Sequence, residues 1–294
     1  MLQSTKRGWG FVDWAPGYYG GTEETRVGTA LEYLRAYGDA AELLTEIGDT
    51  ANAERYAALV RKMRAGIEAQ FRDASGAYGK SWQLNSLAVM AKAAPDMTAI
   101  WNESLSHVRQ DSPADQPITP YSNSWVIQAM AATGHAQQAL DWIRTYWGGM
   151  LNEGATSFWE NYDLRWPKTN FHLSLEADGT SGYFVSLSHG WSSSPAYWLE
   201  ENVLGIVPTS PGYRTVEIHP ALLGLAWARG SVATPHGPLG VSIDKEKGIT
   251  IDLPAGVEQA RVLVPGAAGH VFVNGRETAL ADGYLVLTSP GRYD

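Results

Sequence analysis

From about residue 24 to residue 204 the apolar positions recur with a helical period. Val27, Leu31, Leu34, Ala41 and Leu44 form one stripe, and Tyr56, Leu59, Val60, Met63, Ile67 and Phe71 form a second. Each stripe predicts an amphipathic helix with one buried face. Gly48 followed by Asp49 and Thr50 separates them as a stop and a new cap. Further helices are expected over 82–93, 97–108, 121–133 (between Pro120 and Gly134), 136–147 and 194–204. Their short connections predict helical hairpins, as in a bundle or a toroid.

Past Gly205 the period changes to two. Pro208, Pro211 and Gly212 punctuate a linker, and then Val216 with Ile218, Val241 with Ile243, Ile249 with Ile251 and Leu253, Val271 with Val273, and Leu285 with Leu287 alternate with polar residues. Such runs between Gly and Pro turns predict a small antiparallel β-sandwich. The expected organisation is therefore a helical domain over 1–207 and a β-domain over 208–294. The charged run Asp244, Lys245, Glu246 and Lys247 sits at one of the predicted hairpins and reads as a solvated turn.

Composition narrows the chemistry. A net charge of −9 argues against a nucleic-acid face, and the absence of cysteine removes disulfides, thiolate catalysis and Cys-based zinc sites. No stretch is long enough to span a bilayer, and the first residues lack the apolar region of a signal peptide, so a cytoplasmic location is expected if Met1 is the native start. His107, His135, His172, His219, His236 and His270 are scattered without metal-ligand spacing, and no glycine loop cradles a phosphate. Neither a metal nor a cofactor is expected.

The loops between the helices are aromatic rather than merely polar. Twelve Trp and 14 Tyr against 6 Phe favour rings that combine an apolar body with a polar tip. Two segments concentrate the signal: Gly154-Ala-Thr-Ser-Phe-Trp159-Glu160 and Ser188-His189-Gly-Trp191-Ser-Ser-Ser194. Indoles stack on the C–H faces of a sugar ring. A carboxylate beside them binds hydroxyls or acts as acid or base on a glycosidic bond. Scattered residues such as Trp101 and Trp142 fall on helical patterns and read as core.

With these two loops, Gly10-Phe-Val-Asp13-Trp14, Tyr146-Trp-Gly-Gly-Met-Leu151, Val203-Leu-Gly-Ile-Val-Pro208 and Thr234-Pro-His-Gly237 in that order, the chain resembles the bacterial α-L-rhamnosidases of glycoside hydrolase family 78. The resemblance implies an (α/α)6 toroid followed by a β-sandwich, and inverting hydrolysis of terminal α-L-rhamnosides in a rhamnose-containing glycan or glycoside. It implies that Glu160 is the general base, that His189 and Asp13 bind sugar hydroxyls, and that Trp14, Trp159 and Trp191 wall the ring. The family's acidic motif, which carries the general acid upstream of the Gly-Phe-x-Asp-Trp segment, has no counterpart here. Seven predicted helices rather than twelve likewise imply an incomplete toroid, whose open face a second chain, another copy or the rest of a longer chain would cover.

Glu23 and Glu24 precede the stripe at Val27 and read first as helix-capping acids, with replacement of the general acid as the alternative. Two other functional readings stay open. One is a non-catalytic carbohydrate-binding relative. The other is a polysaccharide lyase acting on a rhamnose–uronate linkage, for which Arg165 and Lys168 would neutralise the uronate.

Overall fold

The computed structural model describes residues 10–108, 118–164 and 186–294. The chain divides into two compact units, Met1–Ser194 and Pro195–Asp294. No helix among the described residues is long and apolar enough to cross a membrane.

The first unit opens with a short antiparallel pair, β1 (Gly10–Phe11) and β2 (Tyr19–Gly20). Six helices follow: α1 (Glu23–Glu46), α2 (Thr50–Phe71), α3 (Trp82–Met90), α4 (Met97–Glu103), α5 (Pro120–Ala132) and α6 (Ala136–Asn152). Five of the six starts are capped by a side chain, and His135 before α6 makes no such bond. Thr22, Asp49, Ser81, Asp96 and Thr119 each accept a backbone N–H of the first turn. α1 pairs with α2 as a hairpin and packs on α3, which packs on α5, which packs on α6.

Burial separates these helices into two kinds. α1 hides Val27, Leu31 and Leu34 on one face, and α2 hides only Ala53, Met63 and Ile67. α3 is buried from Trp82 through Val89, and α5 from Ser122 through Ile127, so both lie inside the unit. Burial on this scale stabilises by about 2 kcal/mol for each fully enclosed Leu or Ile. It also encloses polar side chains, which must be paired. Asn85 accepts from Tyr78 N at 3.0 Å and donates to the carbonyls of Gly79 and Ser81. Asn123 accepts from the Trp142 indole at 2.7 Å.

Two helices stop earlier than their apolar pattern predicts. α3 ends at Met90 because Lys92 turns to φ 52°, and α4 ends at Glu103, where a 3-10 turn over Leu105–His107 takes over.

The second unit takes in most of α7 (Ser194–Asn202), with Trp198 fully buried. One sheet runs in the order β11 (Tyr284–Leu287), β8 (Gln259–Leu263), β4 (Thr215–Ile218), β3 (Ile206–Pro208). The other runs β12 (Gly291–Tyr293), β7 (Gly248–Leu253), β6 (Gly237–Asp244), β5 (Trp227–Thr234). A separate hairpin joins β9 (His270–Val273) to β10 (Arg276–Ala279). Val216, Ile218, Leu239, Val241, Ile251, Val262 and Leu285 from both sheets share one core, which makes this a sandwich. One pair departs from the antiparallel expectation: β4 and β8 run parallel, with Val216 opposite Ala260. The meander β5–β6–β7 supplies the long crossover that a parallel pair requires.

Candidate functional site

The loop that follows α6 starts from a cap at Glu153 and turns at Gly154, whose φ of 93° suits glycine. It runs beside residues 186–193, and backbone hydrogen bonds zip the two together. Glu160 N donates to Ser186 O at 2.9 Å, and His189 N donates to Phe158 O at 2.8 Å. Ser157 Oγ donates to Leu187 O. The Ser186 N–H points back at the Glu160 carboxylate and donates to Oε2 at 2.7 Å.

This zipper places the His189 imidazole Nδ1 3.8 Å from Glu160 Oε2, with the two side chains 30% and 25% exposed. At that distance the groups interact electrostatically without a direct hydrogen bond, and each keeps an open side. The His189 ring lies 4.4 Å from Trp191, which stacks on Tyr121 at 5.2 Å. Tyr121 in turn meets Trp125 edge-on at 4.7 Å. One carboxylate, one imidazole and an aromatic surface thus meet at one place.

Asp13, expected to accept hydrogen bonds from a sugar, accepts them here from the chain itself. Thr119 Oγ1 donates to both carboxylate oxygens at 2.9 and 2.8 Å, Ser122 Oγ donates to Oδ2, and Trp14 N donates to Oδ1 at 2.7 Å. The residue has no exposed surface. Burial raises its pKa, and the hydrogen bonds of Ser122 and Thr119 pull the other way. Its position at the N-terminus of α5 also suits a negative charge. Asp13 therefore ties the loop after β1 to the helix turn that carries Tyr121.

The other predicted residues are placed differently from one another. Trp14 is 43% exposed, and its ring lies 4.8 Å from Phe11 and 6.0 Å from Tyr19. Trp159 is buried edge-on against Tyr162, which meets Tyr146 at 5.6 Å. Tyr146 donates to the Tyr162 carbonyl at 2.6 Å, and complete burial raises its pKa well above 10. Gly149 makes room for this stack, since a Cβ there would fall 2.6 Å from Tyr162 Oη. Glu23 and Glu24 are exposed in the first turn of α1. Arg165 and Lys168 lie outside the described residues, as do Trp9 and His172.

Four contributors were not singled out in the sequence. Thr119 and Ser122 look like an ordinary helix cap, and Tyr121 like the first residue of a core stripe. Glu32 resembles any acid on an amphipathic helix, yet burial pushes its carboxyl up to about 7, with Arg35 opposing. Its charge bears on Tyr121, whose pKa is raised by burial first and by Glu32 next. Among the described residues no three His, Asp or Glu side chains converge as metal ligands.

A cavity of about 480 Å³ adjoins the zipper, with Glu153, Thr156, Ser157, Trp159, Ser186 and Ser188 in its wall.

Residues 2–203 match the family described as bacterial alpha-L-rhamnosidase 6 hairpin glycosidase domain, and residues 205–279 match the bacterial alpha-L-rhamnosidase C-terminal domain. An alpha-L-rhamnosidase of Alteromonas sp. (strain LOR) is 25% identical over 238 residues, which are 76% of this chain and 24% of that protein. One from Streptomyces avermitilis is 29% identical over 150 residues, 48% of this chain and 14% of that protein. The matches therefore span about a quarter or less of those relatives. Among solved structures, the GH78 family rhamnosidase of Bacillus sp. GL1 superposes with a TM-score of 0.70 at 27% identity, covering 88% of this chain and 28% of its own. The Streptomyces avermitilis alpha-L-rhamnosidase complexed with L-rhamnose gives 0.72 at 21% identity, covering 92% and 27%.

Proposed function

The chain belongs to the bacterial alpha-L-rhamnosidases, and from that membership we propose that its Glu160 loop serves the inverting hydrolysis of terminal α-L-rhamnosides. The observation that carries the reading is the Glu160–His189 pair held across two zipped loops beside Trp191.

Glu160 suits the base half of such a reaction. The Ser186 N–H fixes Oε2, and no partner is assigned to Oε1 among the described residues. A water held by Oε1 gives up its proton to the carboxylate as its oxygen attacks the anomeric carbon. In the same step the bond to the leaving oxygen breaks on the opposite face of the ring, and that oxygen takes its proton from a second carboxyl acting as general acid. Inversion requires the second carboxyl about 6.5–9.5 Å from the first, to leave room for that water. Glu23 and Glu24 are poor candidates, because exposed acids in the first turn of α1 are already favourably placed by the helix dipole.

The remaining groups suit recognition. The His189 imidazole has a ring nitrogen for a sugar hydroxyl and lies over Trp191, whose indole with Tyr121 offers a stacking face. Asp13 acts through α5, by fixing the turn from which Tyr121 projects.

The test is Glu160→Gln, assayed for release of L-rhamnose from a rhamnoside and for rhamnoside binding. Turnover should fall about a thousandfold while methyl α-L-rhamnoside still binds. Near wild-type turnover in the variant removes Glu160 from the mechanism. Saturable rhamnoside binding by the wild-type protein with no turnover favours a purely sugar-binding relative.

A further inference from the structure

The β-sandwich holds another cavity, of about 520 Å³, bounded by strands of both sheets and by the β9–β10 hairpin. Ile249 of β7, Val262 of β8, Leu285 of β11 and Val271 and Val273 of β9 line it, with Val264 just past β8. The hairpin joins neither sheet, and its turn is pinned instead to the last residues of the chain. Asn274 N donates to Asp294 O at 2.9 Å, Asn274 Nδ2 donates to Arg292 O at 3.1 Å, and Asp294 N donates to Asn274 Oδ1 at 2.8 Å. This clamp fixes where the hairpin stands relative to the strands it faces, and with it one wall of the cavity.

Interior and mouth differ in chemistry. Tyr293 also lines the wall, but its hydroxyl is spent on the Ser289 carbonyl at 2.6 Å. A sugar placed inside would bury hydroxyls without partners, so the interior suits an apolar body. The polar side chains of the wall are those of Asp244, Lys245 and Lys247 on the turn between β6 and β7, and of Asp294. Both carboxylates are already engaged: Asp244 accepts Glu246 N and Lys247 N at 2.9 and 3.1 Å, and Asp294 pairs with Arg292 at 3.3 Å. Lys245 and Lys247 are exposed and make no ion pair among the described residues, although Lys247 shares the field of Asp244. Glu246, between them, is not part of the wall. Two ammonium groups at the edge of an apolar cavity complement an anion at the end of an apolar chain.

We propose that this cavity binds an amphiphilic carboxylate, with the alkyl chain inside and the carboxylate at Lys245 and Lys247. Its volume lies in the range of small-molecule sites, which are mostly apolar with a few placed polar groups. The cavity is built wholly from the second unit, so the inference is independent of the rhamnoside reading of the Glu160 site.

The experiment is calorimetric titration of the 294-residue chain at neutral pH with butanoate, hexanoate and octanoate, and with 1-octanol and octylammonium, which keep the chain and change the head. Each two added methylenes should tighten binding about tenfold, the size expected for burying them. Octanoate should bind about fivefold more tightly than octanol, and octanol more tightly than octylammonium, as exposed ion pairs of this kind allow. Lys245→Gln combined with Lys247→Gln should bring octanoate down to the level of octanol and leave octanol unchanged. Val271→Phe, which fills the cavity, should weaken both about tenfold. Circular dichroism checks its fold, and the lysine variant on the exposed turn carries the test if Val271→Phe does not fold.

Equal affinity for octanoate and octanol overturns the inference, as does tightest binding of octylammonium. Affinity that does not grow with chain length also overturns it, because the chain then lies outside the cavity. Octanoate binding left unchanged by the lysine variant, or by a folded Val271→Phe, places the ligand elsewhere and has the same effect. If no carboxylate binds and sedimentation shows a self-association that Val271→Phe abolishes, a second copy occupies this face and the inference falls. It falls equally if no carboxylate binds and the chain stays monomeric.

Discussion

Glu160 and His189 are each anchored to the other's loop: the backbone of Glu160 donates to Ser186 O, and the backbone of His189 donates to Phe158 O, leaving their side chains 3.8 Å apart. The pair is thus set by main-chain geometry and not by attraction between the side chains. Replacing His189 by Ala should leave Glu160 in place and remove one charged or polar ligand contact. Such a contact is worth about 2 kcal/mol, or roughly thirtyfold in rhamnoside affinity. Binding measurements on the folded variant check this, and an unchanged affinity would return His189 to a structural role.

Asp13 is buried between two hydroxyls that have no better partner. Asp13→Ala should therefore cost about 3 kcal/mol, because Thr119 and Ser122 lose a shared acceptor inside the protein. Asp13→Asn keeps one acceptor oxygen and should cost about 1 kcal/mol. Urea unfolding of the two variants gives the order, and equal midpoints would contradict it.

Glu32 makes stability depend on pH. Its folded value of about 7 lies above the ordinary 4.5, with burial as the main cause. The group's favourable contribution is fully present below pH 4.5, where both states are protonated. As pH rises toward 7 the unfolded chain releases the proton first, so stability falls, and the contribution is lost above about 7. Glu32→Gln should flatten this slope, making the variant the more stable protein at pH 8 relative to its rank at pH 4. Parallel unfolding profiles from pH 4 to 8 would show that Arg35 and Tyr121, the groups electrostatically coupled to it, leave it ionised as usual.

Gly205 adopts φ 73°, and a Cβ there would sit 2.1 Å from the His219 carbonyl oxygen. The obstacle is backbone and cannot swing away. Gly205→Ala should destabilise the second unit by about 3 kcal/mol or more, with strain and overpacking adding. Denaturation followed through the buried Trp198 reports it.

The first two helices were legible because each carries its own stripe and cap: Val27, Leu31 and Leu34 turned inward as their spacing requires, and Thr22 and Asp49 cap as their side chains allow. The loop residues Glu160, His189 and Trp191 stood out because polar groups in aromatic runs need partners, and the structure joins them. The hydrogen-bond partners of Asp13 were not legible, since they lie 106 and 109 positions away and nothing local marks them. Glu32 was hidden for a related reason: its altered proton affinity is a property of burial, which a single acid between Leu31 and Tyr33 does not announce. Strand direction was hidden as well, because alternation fixes faces and not neighbours.

The parallel pairing of β4 with β8 sets an order of events at the ribosome. Glu217 meets Arg261 across 44 positions, at 3.0 Å. When β4 emerges, only β3 is available to it, and one edge stays unpaired while β5, β6 and β7 are made. The β5–β6–β7 meander can form hairpin by hairpin as it emerges, whereas the other sheet waits for residue 259 and the strand that follows. Until then its open edge and the apolar faces of Val216 and Ile218 are exposed to other chains. The sheet that depends on this long-range parallel pair is therefore the one whose nascent edge is the point of vulnerability to aggregation.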